Sequence, residues 1–505
     1  MDVVRESAGA GRVVLFEESA RDGAQAKTLM SAGFRVRLAR EQGAVFGADG
    51  PRHVVFAAGF PSVCGQEFEA TRQVALEAQG SVSPSAICRG TVADVRLALS
   101  AVRGAVHARV MVIVAASEAT ARALVHSGAR EALRQGLDVV KEAVGLADGV
   151  AVDVCLVDVP RADRALVAEY AGAMTAQGAG TIVLADTVGD LLPGRTRTLF
   201  QRVAAGAGPE AVLVSHLHND LGLGLANTLA ALESGVRVAA CSWLGMAERS
   251  GMTATEQLLF LLAHDRAKAE QVLGAGCEPW WTQPDLTRLP TIARMVSAET
   301  GVPLAVTTPV VGTGVATIST GTPFTHPQTF QPYDPQQHLG LPPTVVLTHL
   351  ASRRVLNAVA ERLGHRLSAA QTSTALAWTT PALRDGHLLL FGARWQPLAQ
   401  LLDRFPRLYV SSANRTGHPP AATAPQTAAM FGPDTPSPTP APCATPTPPT
   451  PPPPCCASPP TETWPTSAPE PRTRPTAVTR TAIWNVSARR QTAERGRVLT
   501  AVRAR

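Results

Sequence analysis

Eight short apolar runs recur along the first half of this chain, and their regular spacing constrains the fold more than any single motif. They are Val13–Phe16, Val54–Phe60, Ser85–Cys88, Arg109–Ala115, Val150–Asp158, Thr181–Thr187, Val212–Asp220 and Val236–Gly245. Between them lie Ala-, Leu- and Arg-rich segments with helical spacing, such as Glu118–Leu146 and Asp163–Ala176. The region Ala26–Gly43 is the least regular of these, with two glycines and few acidic caps. A strand followed by a helix, repeated in one series, predicts parallel pairing, because parallel neighbours need a helical crossover. Eight such units predict an α/β fold, a (β/α)8 TIM barrel.

In such a barrel, ligands gather where the strands end at their carboxyl side. Three segments place chemistry there. Ser215-His216-Leu217-His218-Asn219-Asp220 closes the seventh run. Strand side chains alternate, so His216 and His218 project from one face and can reach a single divalent cation. Arg21-Asp22-Gly23-Ala24-Gln25 follows the first run, and Ala185-Asp186-Thr187-Val188-Gly189 ends the sixth.

Taken together, FEESARDGAQ, AAGFP, VLADTVGDLLP, SHLHNDLGLGLANTLAALESG and GMAERSGMTATEQ resemble, in family order, the 2-isopropylmalate synthase, homocitrate synthase and HMG-CoA lyase group. This is a metal-dependent TIM-barrel family that makes or breaks carbon–carbon bonds by Claisen chemistry. The resemblance spans residues 12 to 365, and ADTVG and GMAERSG are more similar to the synthase branch.

The resemblance implies an acyltransferase that joins an acyl-CoA, acetyl-CoA first among them, to a 2-keto acid. The product is a 2-hydroxy-2-alkyl diacid. Asp22, His216 and His218 would hold a divalent metal, Mg2+, Mn2+ or Zn2+, that polarises the keto carbonyl. Arg21 would sit beside the developing alkoxide. Thr187 would bind the keto-acid carboxylate, with Gln25 and Asn219 also facing substrate. Glu248 and Arg249 would support the site through an ion pair, and His326 and His349 are candidates for acid–base work. Two alternatives share these motifs: a lyase or aldolase running the reverse reaction, and a catalytically inactive barrel kept as a binding subunit. Four departures from the family pattern stand beside them, and the last three motivate the inactive barrel. Ala24 stands where the synthases carry a glutamate, Val157 precedes Asp158, Met252 replaces an asparagine, and Ile318 falls where a histidine is expected.

Outside the barrel the sequence changes character. A barrel domain over 1–276 is followed by a Pro/Thr/Gly-rich linker or lid over 277–341. A small helical subdomain is expected over 342–385. Residues 386–432 contain LYVSSANRTGHPPAATAPQTAAMFG, which resembles a segment of threonylcarbamoyl-adenylate synthases of the YrdC type. There, Ser411, Ser412 and Asn414 would lie by a nucleotide. The Pro- and Arg-rich stretch 433–505 cannot bury enough apolar surface to offset its ordering entropy, and disorder is expected.

Composition sets the remaining bounds. Hydrophobic residues make up 45% and charged residues 17%, enough for a sizeable core. The net charge of +6 lies entirely in the tail: from residue 441 there are nine arginines, no lysine and three glutamates, which leaves the preceding 440 residues neutral. That tail lacks interleaved aromatics, so no nucleic-acid partner is expected. An apolar run long enough for a membrane span is missing, as is an apolar signal core. Eight irregularly spaced cysteines, with Cys88, Cys155 and Cys241 in apolar runs, suit buried free thiols. A cytoplasmic homodimer acting on small molecules is the expectation.

Overall fold

The computed structural model describes residues 2–26, 29–318, 326, 329–345, 351–384, 387–390 and 500–503. Eight parallel strands form a closed barrel in chain order. They are β1 (Val14–Glu17), β2 (Val54–Gly59), β3 (Ser83–Arg89), β4 (Arg109–Ala115), β5 (Ala151–Val157), β6 (Ile182–Asp186), β7 (Leu213–Leu217) and β8 (Val238–Cys241). Closure comes from β1 against β8, with Val14 opposite Val238. The fold is the (β/α)8 barrel that the alternation predicts.

The two faces of each strand are apolar for different reasons. Val14, Val55, Ile87, Met111, Cys155, Val183, Val214 and Val238 form one cluster drawn from all eight strands. Only the barrel interior can bring them together. Their odd–even neighbours, such as Leu15, Val54, Val112 and Leu213, pack outward against the helices. Burying each such side chain contributes roughly 2 kcal/mol. Parity along a strand therefore decides which side chains reach the lumen.

Helices begin where capping residues allow. Asp163 accepts from the amides of Ala165 and Leu166 and starts the helix Arg164–Ala176. Ser31 starts Ala32–Gly43 in the same way, so the irregular first spacer does become helical. One expectation needs correcting. The segment Glu118–Leu146 is not one helix but two, Glu118–Val125 and Ala129–Leu146. His126 adopts a left-handed backbone (φ 54°) at the break, which ends the first helix before Gly128 opens the second.

At the amino-terminal end of the barrel, a charged network is sealed under the core. Arg109 forks onto Asp153 at 2.8 and 2.6 Å, and Thr181 donates to the same carboxylate at 2.8 Å. Arg109 also meets Asp2, the cap of the helix Val3–Gly9. A cavity of about 300 Å3 opens beside them, lined by Asp2, Arg5, His107, Arg109 and Asp148. It lies at the end opposite the candidate chemistry.

The chain divides into two compact units, Met1–Val346 and Leu347–Arg505. Within the first, the stretch expected as a linker contains the helix Leu289–Thr300, with proline in its first turn. Its Leu289, Ile292, Ala293 and Val296 are buried, so this part is built into the core. Thr317–Ile318 pairs with Thr344–Val345 in parallel. Within the second unit, the helices Arg353–Arg362 and Ala369–Arg384 meet through Thr372, which donates to Asn357 at 2.6 Å. Thr500–Arg503 pairs antiparallel with His387–Leu390. Thr500 and Val502 are β-branched, which suits a strand. The rest of the 433–505 tail, and the segment carrying Ser411, Ser412 and Asn414, lie outside the described residues. Among the described residues, no helix is long and apolar enough to cross a membrane.

Candidate active site

After β1 the chain enters a wide π-type turn, Ser19–Gly23, that carries Arg21 and Asp22 over the barrel mouth. Buried bonds hold this turn. Glu17 accepts from the Ser19 amide at 2.7 Å, and the Ser19 hydroxyl accepts from the Trp243 amide at 2.7 Å. On β7, parity aligns Val214, His216 and His218 toward the lumen.

Asp22, His216 and His218 converge as a result. One ligand atom from each lies within 4.8 Å of the others, and all three residues are buried. Asp22 Oδ2 stands 3.4 Å from His216 Nε2 and 3.7 Å from His218 Nε2. The two Nε2 atoms are 3.4 Å apart. The Glu248 amide donates to the other Asp22 oxygen at 3.1 Å. His218 Nδ1 faces the Gly251 carbonyl at 3.2 Å. Arg21 Nη1 lies 3.3 Å from Asp22 and 3.7 Å from Glu18.

The electrostatics follow from this crowding. Burial opposes the charge on Asp22, but the His216 hydrogen bond and the Arg21 charge prevail and hold its carboxyl well below the usual range. Burial also opposes a charge on His216. The carboxylates of Asp22 and Glu18, one facing each ring nitrogen, push it up to about 9. His218 is depressed to about 4, first by burial and then by the His216 charge beside it. The pocket thus concentrates negative charge around a point where one positive charge is taken up. Two imidazole nitrogens and a carboxylate around that point form a donor set that fits Zn2+ or Mn2+, and less strictly Mg2+.

The other expected site residues are placed differently. Thr187 accepts from the Asp158 amide at 3.0 Å, so its oxygen braces the β5 and β6 ends together. Asn219 Oδ1 accepts from the Gly224 amide at 2.8 Å at the start of the helix Gly224–Glu233. Gln25 and the Glu248 side chain are exposed, as is His326. His349 lies outside the described residues. The expected Glu248–Arg249 pair is corrected. Arg249 instead forks onto Asp220, with both contacts at 2.9 Å, and donates to the Thr187 carbonyl at 2.6 Å. Its left-handed backbone (φ 57°) turns the side chain across to the β7 loop, where Asp220 offers two matched oxygens. Gly189 makes room, since a Cβ there would come within 2.3 Å of Asp220 Oδ2.

Glu17, Glu18 and Glu256 are buried carboxylates to which the motif reading gave no role. Glu17 ends β1 and Glu18 follows it in FEES, where parity sends Glu18 inward and Glu17 outward; that was the available signal. Burial pushes Glu17 up to about 8 and Glu256 up to about 7. Met252 is buried and bridges to His218, and Val157 packs against the interior cluster. The two departures therefore place apolar groups beside the polar centre.

The chain is similar in sequence to known proteins. The 2-isopropylmalate synthase of Neisseria gonorrhoeae is 30% identical over 315 residues, 61% of this chain and 49% of that one. The 2-isopropylmalate synthase of Prochlorococcus marinus is 29% identical over 384 residues, 73% of this chain and 69% of that one. The chain spans about half the length of the first of these curated relatives. Among solved structures, the HMG-CoA lyase of Brucella melitensis aligns at 21% identity and a TM-score of 0.46, covering 57% of this chain and 99% of that one. A sequence model described as HMGL-like matches residues 12–296, more than half of the chain. That family comprises enzymes that use a divalent metal, and this chain belongs to it.

Proposed function

We propose that the barrel catalyses the metal-dependent Claisen condensation of an acyl-CoA, acetyl-CoA first, with a 2-keto acid, water then cleaving the thioester to give a 2-hydroxy-2-alkyl diacid and free CoA. The observation that carries this reading is the convergence of Asp22, His216 and His218 at the barrel mouth, with Arg21 beside them. The kinship with 2-isopropylmalate synthases favours condensation over cleavage.

Asp22, His216 and His218 would hold a divalent ion, which when bound supplies Lewis-acid polarisation of the keto carbonyl and charge against the alkoxide. Arg21 then acts as a fixed cation next to that oxygen. It is already charged and oriented by Glu18 and Asp22, so little reorganisation is needed as charge develops. The Thr187 oxygen accepts from Asp158, which leaves its proton for the substrate carboxylate. Asn219 and Gln25 stand at the same end of the barrel as further contacts. Glu248 fixes Asp22 through its backbone amide. His326, from the 277–341 segment, is the candidate for the proton removed from the acyl methyl. A homodimer in the cytoplasm, with small molecules as its partners, completes the reading.

A thiol-release assay with acetyl-CoA against a panel of 2-keto acids, with and without Mg2+, Mn2+ and Zn2+, tests it. The expected result is release that needs both a keto acid and a metal. Cleavage of a hydroxy-acyl thioester without thiol release would favour the lyase instead. A protein that binds metal but turns over neither substrate would be the binding subunit.

A further inference from the structure

We propose that Glu18 is a positioning residue for the Asp22–His216–His218 centre, its carboxylate accepting a hydrogen bond from His216 Nδ1–H and so turning Nε2 toward the ion. This rests on the metal site proposed above and adds to it a residue outside the three ligands.

The geometry separates Glu18 from the ligand set. His216 presents Nε2 to Asp22 and His218, and its opposite nitrogen, Nδ1, faces Glu18 Oε1 at 3.6 Å. Among the described residues, the group whose donor atoms fall within 4.8 Å of one another contains Asp22, His216 and His218, and Glu18 is not in it. Glu18 therefore stands behind the imidazole rather than beside the ion.

Both groups are committed to each other by burial. Glu18 is 1% exposed, and His216 Nδ1 is a buried polar atom with no hydrogen-bond partner within normal range. A closing movement of a few tenths of an ångström would bring it to N–H···O distance from Glu18. The back of the second imidazole is held in a similar way, with His218 Nδ1 facing the Gly251 carbonyl at 3.2 Å. Two rings backed by acceptors leave both Nε2 lone pairs directed at one point. A carboxylate behind a ligating imidazole fixes its tautomer and raises its basicity.

Strand parity explains how Glu18 arrives there. It continues the inward series Val14, Phe16, Glu18, whereas Glu17 turns outward to the Ser19 amide. The charge of Glu18 is not left alone, since Arg21 bridges it to Asp22. One buried cation thus links the ligand Asp22 to the carboxylate behind the ligand His216.

The test uses the full-length protein stripped of metal and titrated with Co2+ or Zn2+ by calorimetry, with the visible spectrum of the Co2+ form as a second readout. Glu18→Ala should bind the ion about 10- to 100-fold more weakly, with the saturated Co2+ spectrum unchanged. Glu18→Gln keeps an oxygen acceptor and should recover part of that affinity. Should the alanine variant fail to fold, the isosteric glutamine variant decides: weaker binding with an unchanged spectrum supports the proposal. Wild-type affinity in either variant would overturn it, as would an altered spectrum, which would make Glu18 a ligand. A wild-type protein that takes up no ion would overturn both this inference and the metal reading beneath it.

Discussion

At the scale of single residues, the site separates groups that hold an ion from groups that act on the substrate. His216→Ala or His218→Ala removes a nitrogen from the converging set, so bound metal and turnover should fall together. Arg21→Ala removes a cation that touches Asp22 without belonging to the set, so metal content should stay near wild type. Turnover should still drop about 100-fold or more, the scale seen when one oxyanion-stabilising donor is lost. Metal analysis beside thiol-release kinetics on the three variants checks this, and unchanged turnover in all of them would exclude a catalytic role for the centre. That His216 and His218 share a face was legible in the sequence, because residues two apart on a strand lie on one side, while Asp22 was joined to them only by the family resemblance. Glu18 obeys the same rule but was hidden beside a stronger motif. The bonds of Thr187 and Asn219 were not legible at all. Their partners, the amides of Asp158 and Gly224, are set by how loops pass one another in space.

At the scale of elements, the strands were the most legible part, since every apolar run yields one and each is buried. The breaks within helical segments were not. Periodicity carries through Glu118–Leu146, and the stop at His126 rests on one left-handed backbone that histidine adopts at a cost. A glycine there carries no such penalty. His126→Gly should therefore stabilise the protein by about 1 kcal/mol, offset in part by the freedom that glycine gains in the unfolded chain. His126 is exposed, so few contacts are lost in the exchange. Chemical denaturation of the variant beside wild type measures the difference, and a lower midpoint would show that the left-handed turn is held by something other than the backbone. The 277–341 region makes the same point from the other side: its Pro, Thr and Gly content suggested a linker, yet an apolar helical stripe inside it reaches the core.

At the scale of the whole molecule, the barrel places charge at both ends and differs in how it is balanced. Below the core, Arg109 and Asp153 pair completely. Near the mouth, Glu17 and Glu256 are buried without a cation of their own, and each retains one oxygen with no hydrogen-bond partner. Burial therefore favours their protonated forms, raising Glu17 to about 8 and Glu256 to about 7 from an ordinary 4.5. Between those limits the folded state keeps protons that the unfolded chain releases. Their contribution to stability is full below the unfolded value and is lost as pH rises through 7 to 8. Each group contributes a slope of up to about 1.4 kcal/mol per pH unit over its window. Glu17→Gln and Glu256→Gln keep the shape and the amide-accepting oxygen but cannot ionise. Urea unfolding between pH 5 and pH 9, with a chelator present, should show stability falling with pH in wild type and falling less steeply in each variant. Comparing slopes rather than absolute stabilities removes titrations common to all three proteins, including that of His216. Parallel pH profiles would mean that water or a rearranged turn solvates these carboxylates. A flatter profile for Glu17→Gln would tie the alkaline limit of the fold to the residue that braces Ser19, and through it the turn bearing Arg21 and Asp22.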